Sequence, residues 1–167
     1  MSNRRLIVKV QRRGGVDNDD ALVRHVRRIA SLMFSARMAN TLRITVKVRA
    51  GLAKGTLGSC DWRDMSKGKT ARSKHYTIRV QRDMPLAQQL STITHEMKHV
   101  EQMATGRLTV RVTYGTAGIF WREVGQTGQA TKFSLVDGKP EISWCCRPWE
   151  KEAVKAEEQY AFLLPQG

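Results

Sequence analysis

Residues 95 to 99 read His95, Glu96, Met97, Lys98 and His99, and they lie inside a stretch whose apolar residues recur with a helical period. Leu86, Leu90, Ile93, Met97 and Val100 follow one another at spacings of four, three, four and three residues, as on a helix with one face in a core. At 3.6 residues per turn the two histidines stand one above the other, about 200° away from Ile93 and Met97 respectively. The imidazoles therefore converge on a side of the helix that the core stripe leaves open. Met84-Pro85 supplies a start signal for this helix and Gly106 a stop.

Two imidazoles one turn apart, with a glutamate beside the first, make the HExxH arrangement. Zinc sits about 2.0 to 2.1 Å from an imidazole nitrogen, and two such ligands leave room for a third and for a water. The water is then acidified toward a pKa of about 7. Glu96, displaced by about 100° from His95, can take its proton and pass it to a leaving group. His95 and His99 are thus read as metal ligands, Glu96 as the general base and Zn2+ as the cofactor.

A third ligand has to come from elsewhere, and the four histidines restrict the choice. Only His25 and His75 remain, and both precede the motif. The metzincin pattern needs His at position 105, which is Thr105. Families with any downstream His are set aside too, the SprT-like proteases among them, although their general layout stays comparable. A downstream carboxylate is left.

Here the chain resembles the gluzincin branch of the zincin metallopeptidases, in which a later helix carries Glu followed at short spacing by a small residue. Glu150-Lys151-Glu152-Ala153 matches that pattern. The longer string Arg147-Pro148-Trp149-Glu150-Lys151-Glu152-Ala153, following HEMKH and Val100-Glu101-Gln102, is similar to small metallopeptidases encoded by bacteriophages. The resemblance covers roughly residues 75 to 160 and is specific mainly at HExxH. It implies Glu150 as third ligand and Ala153 as the small residue that lets two helices approach. Glu152 is the alternative, since the two glutamates are about 200° apart on a helix and only one can face the ion. His75 and Asp137 are further candidates, Glu101 is read as lying off the ligand face, and Tyr114 or Tyr160 is a candidate oxyanion donor.

The chain carries 29 Lys and Arg against 15 Asp and Glu, a formal net charge of +14. Residues 150 to 167 hold four Glu and two Lys, so the positive charge belongs to the rest. It is dense at Arg24, Arg27 and Arg28, and again at Arg63, Lys67, Lys69, Arg72 and Lys74. Such a field attracts polyanions with steep salt dependence. No aromatic residues interleave with the basic loop as a stacking platform would need.

Three cysteines, two of them adjacent, argue against a disulfide framework: Cys145-Cys146 is a spacing that rarely bridges, and Cys60 has no evident partner. A reducing cytoplasm fits, that of the host cell if the chain is phage-encoded. The longest apolar runs are four or five residues, too short for a membrane span or a signal peptide.

At 167 residues the chain is read as one domain, 1–167. Alternation marks strands at 5–12, 42–49 and 75–82, with the last expected at the sheet edge along the cleft. A helix from about Asp19 to Met38 has Leu22, Val26, Ile29, Met33 and Ala36 inside, with Asp17, Asn18, Asp19 and Asp20 as cap and acidic first turn. Residues 50–74 read as a long loop. After a strand at Leu108, Val110 and Val112 comes a Gly-rich stretch, then a short buried strand over 141–146 that includes both cysteines. Pro148 opens a last helix with Ala153, Ala156, Tyr160 and Leu163 or Leu164 inside. The order implies an α+β, zincin-like fold: a small twisted mixed sheet, a backing helix, the HExxH helix and a C-terminal helix. The expected function is zinc-dependent hydrolysis of peptide bonds in a protein or peptide substrate. The alternative is a zinc-stabilised basic module that binds nucleic acid with little or no catalysis.

Overall fold

A computed structural model describes residues 6–12, 15–17, 21–61, 75–113, 116–136 and 139–165. The fold is α+β. Strands β1 (Ile7–Arg12), β2 (Gly15–Asp17), β3 (Arg43–Arg49), β4 (Gly58–Cys60) and β5 (His75–Gln81) form a mixed sheet in the order β2-β1-β3-β5-β4. The three central strands are parallel, and β2 and β4 run antiparallel at the two edges. Alternation in the sequence becomes sidedness here: Val8, Val10, Ile44, Val46, Val48, Tyr76, Ile78 and Val80 are all buried on the face that the helices cover.

Helices α1 (Ala21–Met33), α2 (Ala36–Ala39) and α3 (Leu86–Ala104) follow in chain order. Leu22, Val26 and Ile29 of α1 and Ile93, Met97 and Val100 of α3 are completely buried, each such side chain contributing about 1.5–3 kcal/mol by leaving water. Leu86 departs from the expected stripe, being 45% exposed at the start of α3. The long helix expected to reach Met38 ends at Met33. Ser35 caps α2 instead, its hydroxyl accepting from the Met38 N–H at 3.3 Å, a local bond that competes with helix continuation.

A second, antiparallel sheet contains β6 (Leu108–Thr113), β7 (Thr116–Trp121), β8 (Thr131–Val136) and β9 (Lys139–Pro140), and leads into α4 (Pro148–Gln159). It holds the start of α4 in place: Trp149 is 1% exposed and meets the rings of Trp121 and Phe133 at centroid distances of 6.3 and 5.1 Å. The expected strand over 141–146 is not formed. Trp144–Cys146 is a 3-10 turn in which the Cys146 N–H donates to the Ser143 carbonyl and the Arg147 N–H to that of Trp144. Cys145 and Cys146 are consequently exposed rather than buried.

The sheet edge also differs from expectation. β5 is an interior strand, and the edge is β4, a three-residue strand inside the segment read as loop. Asn18, Asp19 and Asp20 of the expected cap, the basic loop from Arg63 to Lys74, Tyr114 and Asp137 lie outside the described residues. Among those described, no helix is long and apolar enough to cross a membrane.

Candidate metal centre

Burial of Ile93 and Met97 against the sheet fixes the rotation of α3 and turns His95 and His99 toward α4. α4 lies close because its inner positions are Ala153 and Ala156, both buried. Pro148 occupies its first turn, and Glu150 follows in that turn, where the positive end of the helix dipole favours a carboxylate. Glu150 Oε2 lies 3.1 Å from His95 Nε2 and 3.3 Å from His99 Nε2. One ligand atom from each of the three residues falls within 4.8 Å of the others, so the cluster could hold a metal ion.

The far nitrogen of each ring is held by a partner of its own. His95 Nδ1 is 2.7 Å from Glu157 Oε1, while Ser91 donates its hydroxyl to Glu157 Oε2 at 2.8 Å. His99 Nδ1 is 2.9 Å from Gln102 Oε1. The Gln102 amide orientation is settled by its nitrogen, which donates to the Trp149 carbonyl at 2.9 Å and to Glu152 Oε2 at 3.3 Å. Each ring therefore donates from Nδ1, and each Nε2 faces Glu150 Oε2. Such partners set ring orientation and raise ligand basicity at metal sites.

These residues could hold a metal ion. Bonds of about 2.0–2.1 Å in a tetrahedron put neighbouring ligand atoms about 3.3 Å apart, close to the two separations from Glu150. Two imidazole nitrogens and a carboxylate oxygen converging in a buried place need protons or a cation between them. The protein groups alone fill that need with protons. Burial opposes charge on His95, but Glu150 and Glu157 outweigh it and lift the imidazole to about 10. Burial likewise opposes the Glu150 charge, yet hydrogen bonds from His95 and His99 bring its carboxyl down to about 2.

Glu96 stands apart from the three. It is 6% exposed, and burial pushes its carboxyl up, offset only in part by His99 and His95. It shares a cleft of about 560 Å³ with His95, His99, Glu150, Trp144 and the segment from Gly55 to Cys60. Gly58 permits that closeness: a Cβ there would overlap Thr92 Cγ2 and sit 3.2 Å from Glu96 Oε1. Trp144, 52% exposed, lies parallel to the His95 ring at 6.3 Å.

The other candidates are placed elsewhere. Glu152 pairs with both terminal nitrogens of Arg107 at 2.9 and 2.7 Å, and it accepts from the Gln102 amide nitrogen at 3.3 Å. Glu101 salt-bridges Lys98 and Arg107 at 2.9 and 3.0 Å. His75 is on the opposite face of the sheet and contacts Thr45 Oγ1, and His25 is against Thr94 Oγ1. Tyr160 borders a separate hollow of about 320 Å³ with Leu32, Lys98 and Glu152. Glu157 and Gln102 are not anticipated by the sequence reading. Their signals are spacings: Glu157 is two helical turns beyond Glu150, and Gln102 is three residues beyond His99. No protein-family model matches the chain, and neither a curated protein nor a solved structure matches it.

Proposed function

We propose that this chain is a zinc-dependent metallopeptidase with a zincin-like, gluzincin-type site, in which His95, His99 and Glu150 hold the zinc and Glu96 is the general base. The observation that carries this reading is the convergence of His95 Nε2, His99 Nε2 and Glu150 Oε2 beside a separate buried carboxyl. Zinc bound there supplies Lewis acidity, which acidifies water and polarises a substrate carbonyl.

Glu96 accepts a proton from the attacking water and delivers it to the departing amine. Its burial suits the task, because a carboxyl with raised proton affinity holds a proton nearer neutral pH than an exposed one does. Glu157 and Gln102 keep the two imidazoles oriented throughout.

A peptide substrate is supported by β4. This edge strand lines the same cleft, and an extended chain can pair with a free strand edge beside the reacting groups. Leu57 and Trp144, 46% and 52% exposed, flank the cleft and offer apolar contact to a substrate side chain. Three free thiols, two of them exposed, suit a reducing compartment such as the cytoplasm.

The test is Glu96→Gln, assayed on an unfolded, fluorescently labelled protein alongside metal analysis. Zinc content is expected to stay at the wild-type level while hydrolysis falls to background. Undiminished hydrolysis in the variant would overturn the assignment of Glu96.

A further inference from the structure

The face of the first sheet turned away from α1 and α3 is strongly basic. Register places Ile7, Arg43 and His75 in one row, Lys9, Thr45 and Thr77 in the next, Gln11, Lys47 and Arg79 in a third, and Arg49 with Gln81 in a fourth. None of these outward positions is acidic. Arg79 is paired with Asp61 at 2.9 Å, whereas Lys9, Arg43, Lys47 and Arg49 have no carboxylate partner among the described residues. Three of these four cations lie on β3 alone, where three of the four outward residues are basic.

We infer that this sheet face binds the phosphate backbone of a nucleic-acid duplex, independently of base sequence. Outward residues on one strand recur about every 6.6 Å and neighbouring strands lie about 4.8 Å apart, so the four cations form a band about 20 Å long and one or two strands wide. A band of that shape matches a rod with a charge on each strand about every 3.4 Å. Gln11 stands beside Lys47, Gln81 beside Arg49 and Thr77 in the row of Lys9; hydroxyl and amide donors of this kind suit phosphate oxygens, and the Gln81 oxygen is already taken by the Leu52 N–H. No Phe, Tyr or Trp side chain projects from these rows, since Tyr76 faces the core. Among the described residues the face thus offers His75 but none of the Phe, Tyr or Trp rings on which an unpaired base stacks best, which favours a duplex over a single strand. Among the described residues it lies on the far side of the sheet from the His95 and His99 cleft, so that a ligand on one surface does not occupy the other.

Fluorescence anisotropy with a labelled DNA duplex at low salt tests the inference on the full chain. Two triple variants share one change of charge: Arg43→Gln, Lys47→Gln and Arg49→Gln on the sheet face, and Arg27→Gln, Arg28→Gln and Arg37→Gln on the helical side. Circular dichroism establishes that both fold. The face variant is expected to lose at least roughly tenfold in affinity, with a salt dependence shallower by about 0.9 per phosphate contact removed. The helical variant should stay within about twofold of the wild type. Equal losses in the two variants would reduce the effect to net charge and overturn the proposal. So would tighter binding to a single strand or to polyglutamate than to the duplex. Glu96→Gln leaves the face untouched, so duplex binding in that variant separates this inference from the peptidase reading.

Discussion

Gln102 Oε1 accepts from His99 Nδ1 at 2.9 Å because the Gln102 nitrogen is already committed to the Trp149 carbonyl. A residue of the HExxH helix thereby reads the position of the helix that carries Glu150, and ties the orientation of the His99 ring to the placement of Glu150. Gln102 is fully buried, so no water can replace these bonds cheaply. Replacing it with Leu should weaken zinc binding about 10- to 100-fold, measured by competition with a chromogenic chelator. It should also lower stability by about 1–3 kcal/mol.

Glu150 and Glu152 separate cleanly. Glu150→Ala removes a ligand atom and should release zinc on dialysis. Glu152→Ala should keep it. The second variant should instead show a lowered melting temperature, because Arg107 loses a bidentate partner while remaining largely buried at its side chain. Zinc loss in Glu152→Ala with retention in Glu150→Ala would reverse the ligand assignment.

Gly58 is required by space rather than by backbone conformation. In Gly58→Val the added carbons meet Thr92 and Glu96, and relieving the overlap costs about 1–3 kcal/mol. Because β4 and Glu96, the proposed general base, are what must shift, hydrolysis should fall further than zinc occupancy, which on this proposal relies on α3 and α4. The ratio of turnover to bound zinc measures this.

His25 gives stability a pH dependence of its own. Burial lowers its imidazole to about 4, and it sits against Thr94 Oγ1, whose hydroxyl donates to the Leu90 carbonyl. Arg28 adds a further, smaller push in the same direction, and the Leu90 backbone opposes it. The unfolded chain takes up the proton below about 6.5 and the folded chain only below about 4. Stability from this group is therefore full above about pH 6.5 and falls by about 3 kcal/mol by pH 4. Urea melts across that range should show a shallower pH slope in His25→Leu than in the wild type.

The local half of the site is legible in the sequence because HExxH is a single-helix spacing, and helical periodicity predicts which way it faces. Glu150 comes from elimination of the histidines together with a resemblance, and it falls beside both imidazoles. Glu157 is not legible: a carboxylate in an acidic C-terminal helix looks like a solvated one until α4 is docked on α3. β4 escapes sequence reading for a related reason. Three residues, Gly58–Cys60, carry too little alternation to register, and only pairing with β5 makes them a strand. Without β4 the expected edge falls one strand inward. The turn at Trp144–Cys146 reads as a strand because its apolar residues suggest burial. The alternating Phe133 and Leu135 a few residues earlier are the real strand signal.

Glu157 should matter through His95. Glu157→Ala removes the Nδ1 partner and should cost about 10- to 100-fold in zinc affinity, whereas Glu157→Gln retains an acceptor and should cost less. Equal affinity in all three proteins would remove Glu157 from the account.

Zinc stoichiometry, determined by mass spectrometry on extensively dialysed wild type and His95→Ala, decides whether the three side chains hold a metal. One zinc per wild-type chain and its loss from the variant is the expected result. Full occupancy in His95→Ala would contradict the centre built on His95, His99 and Glu150.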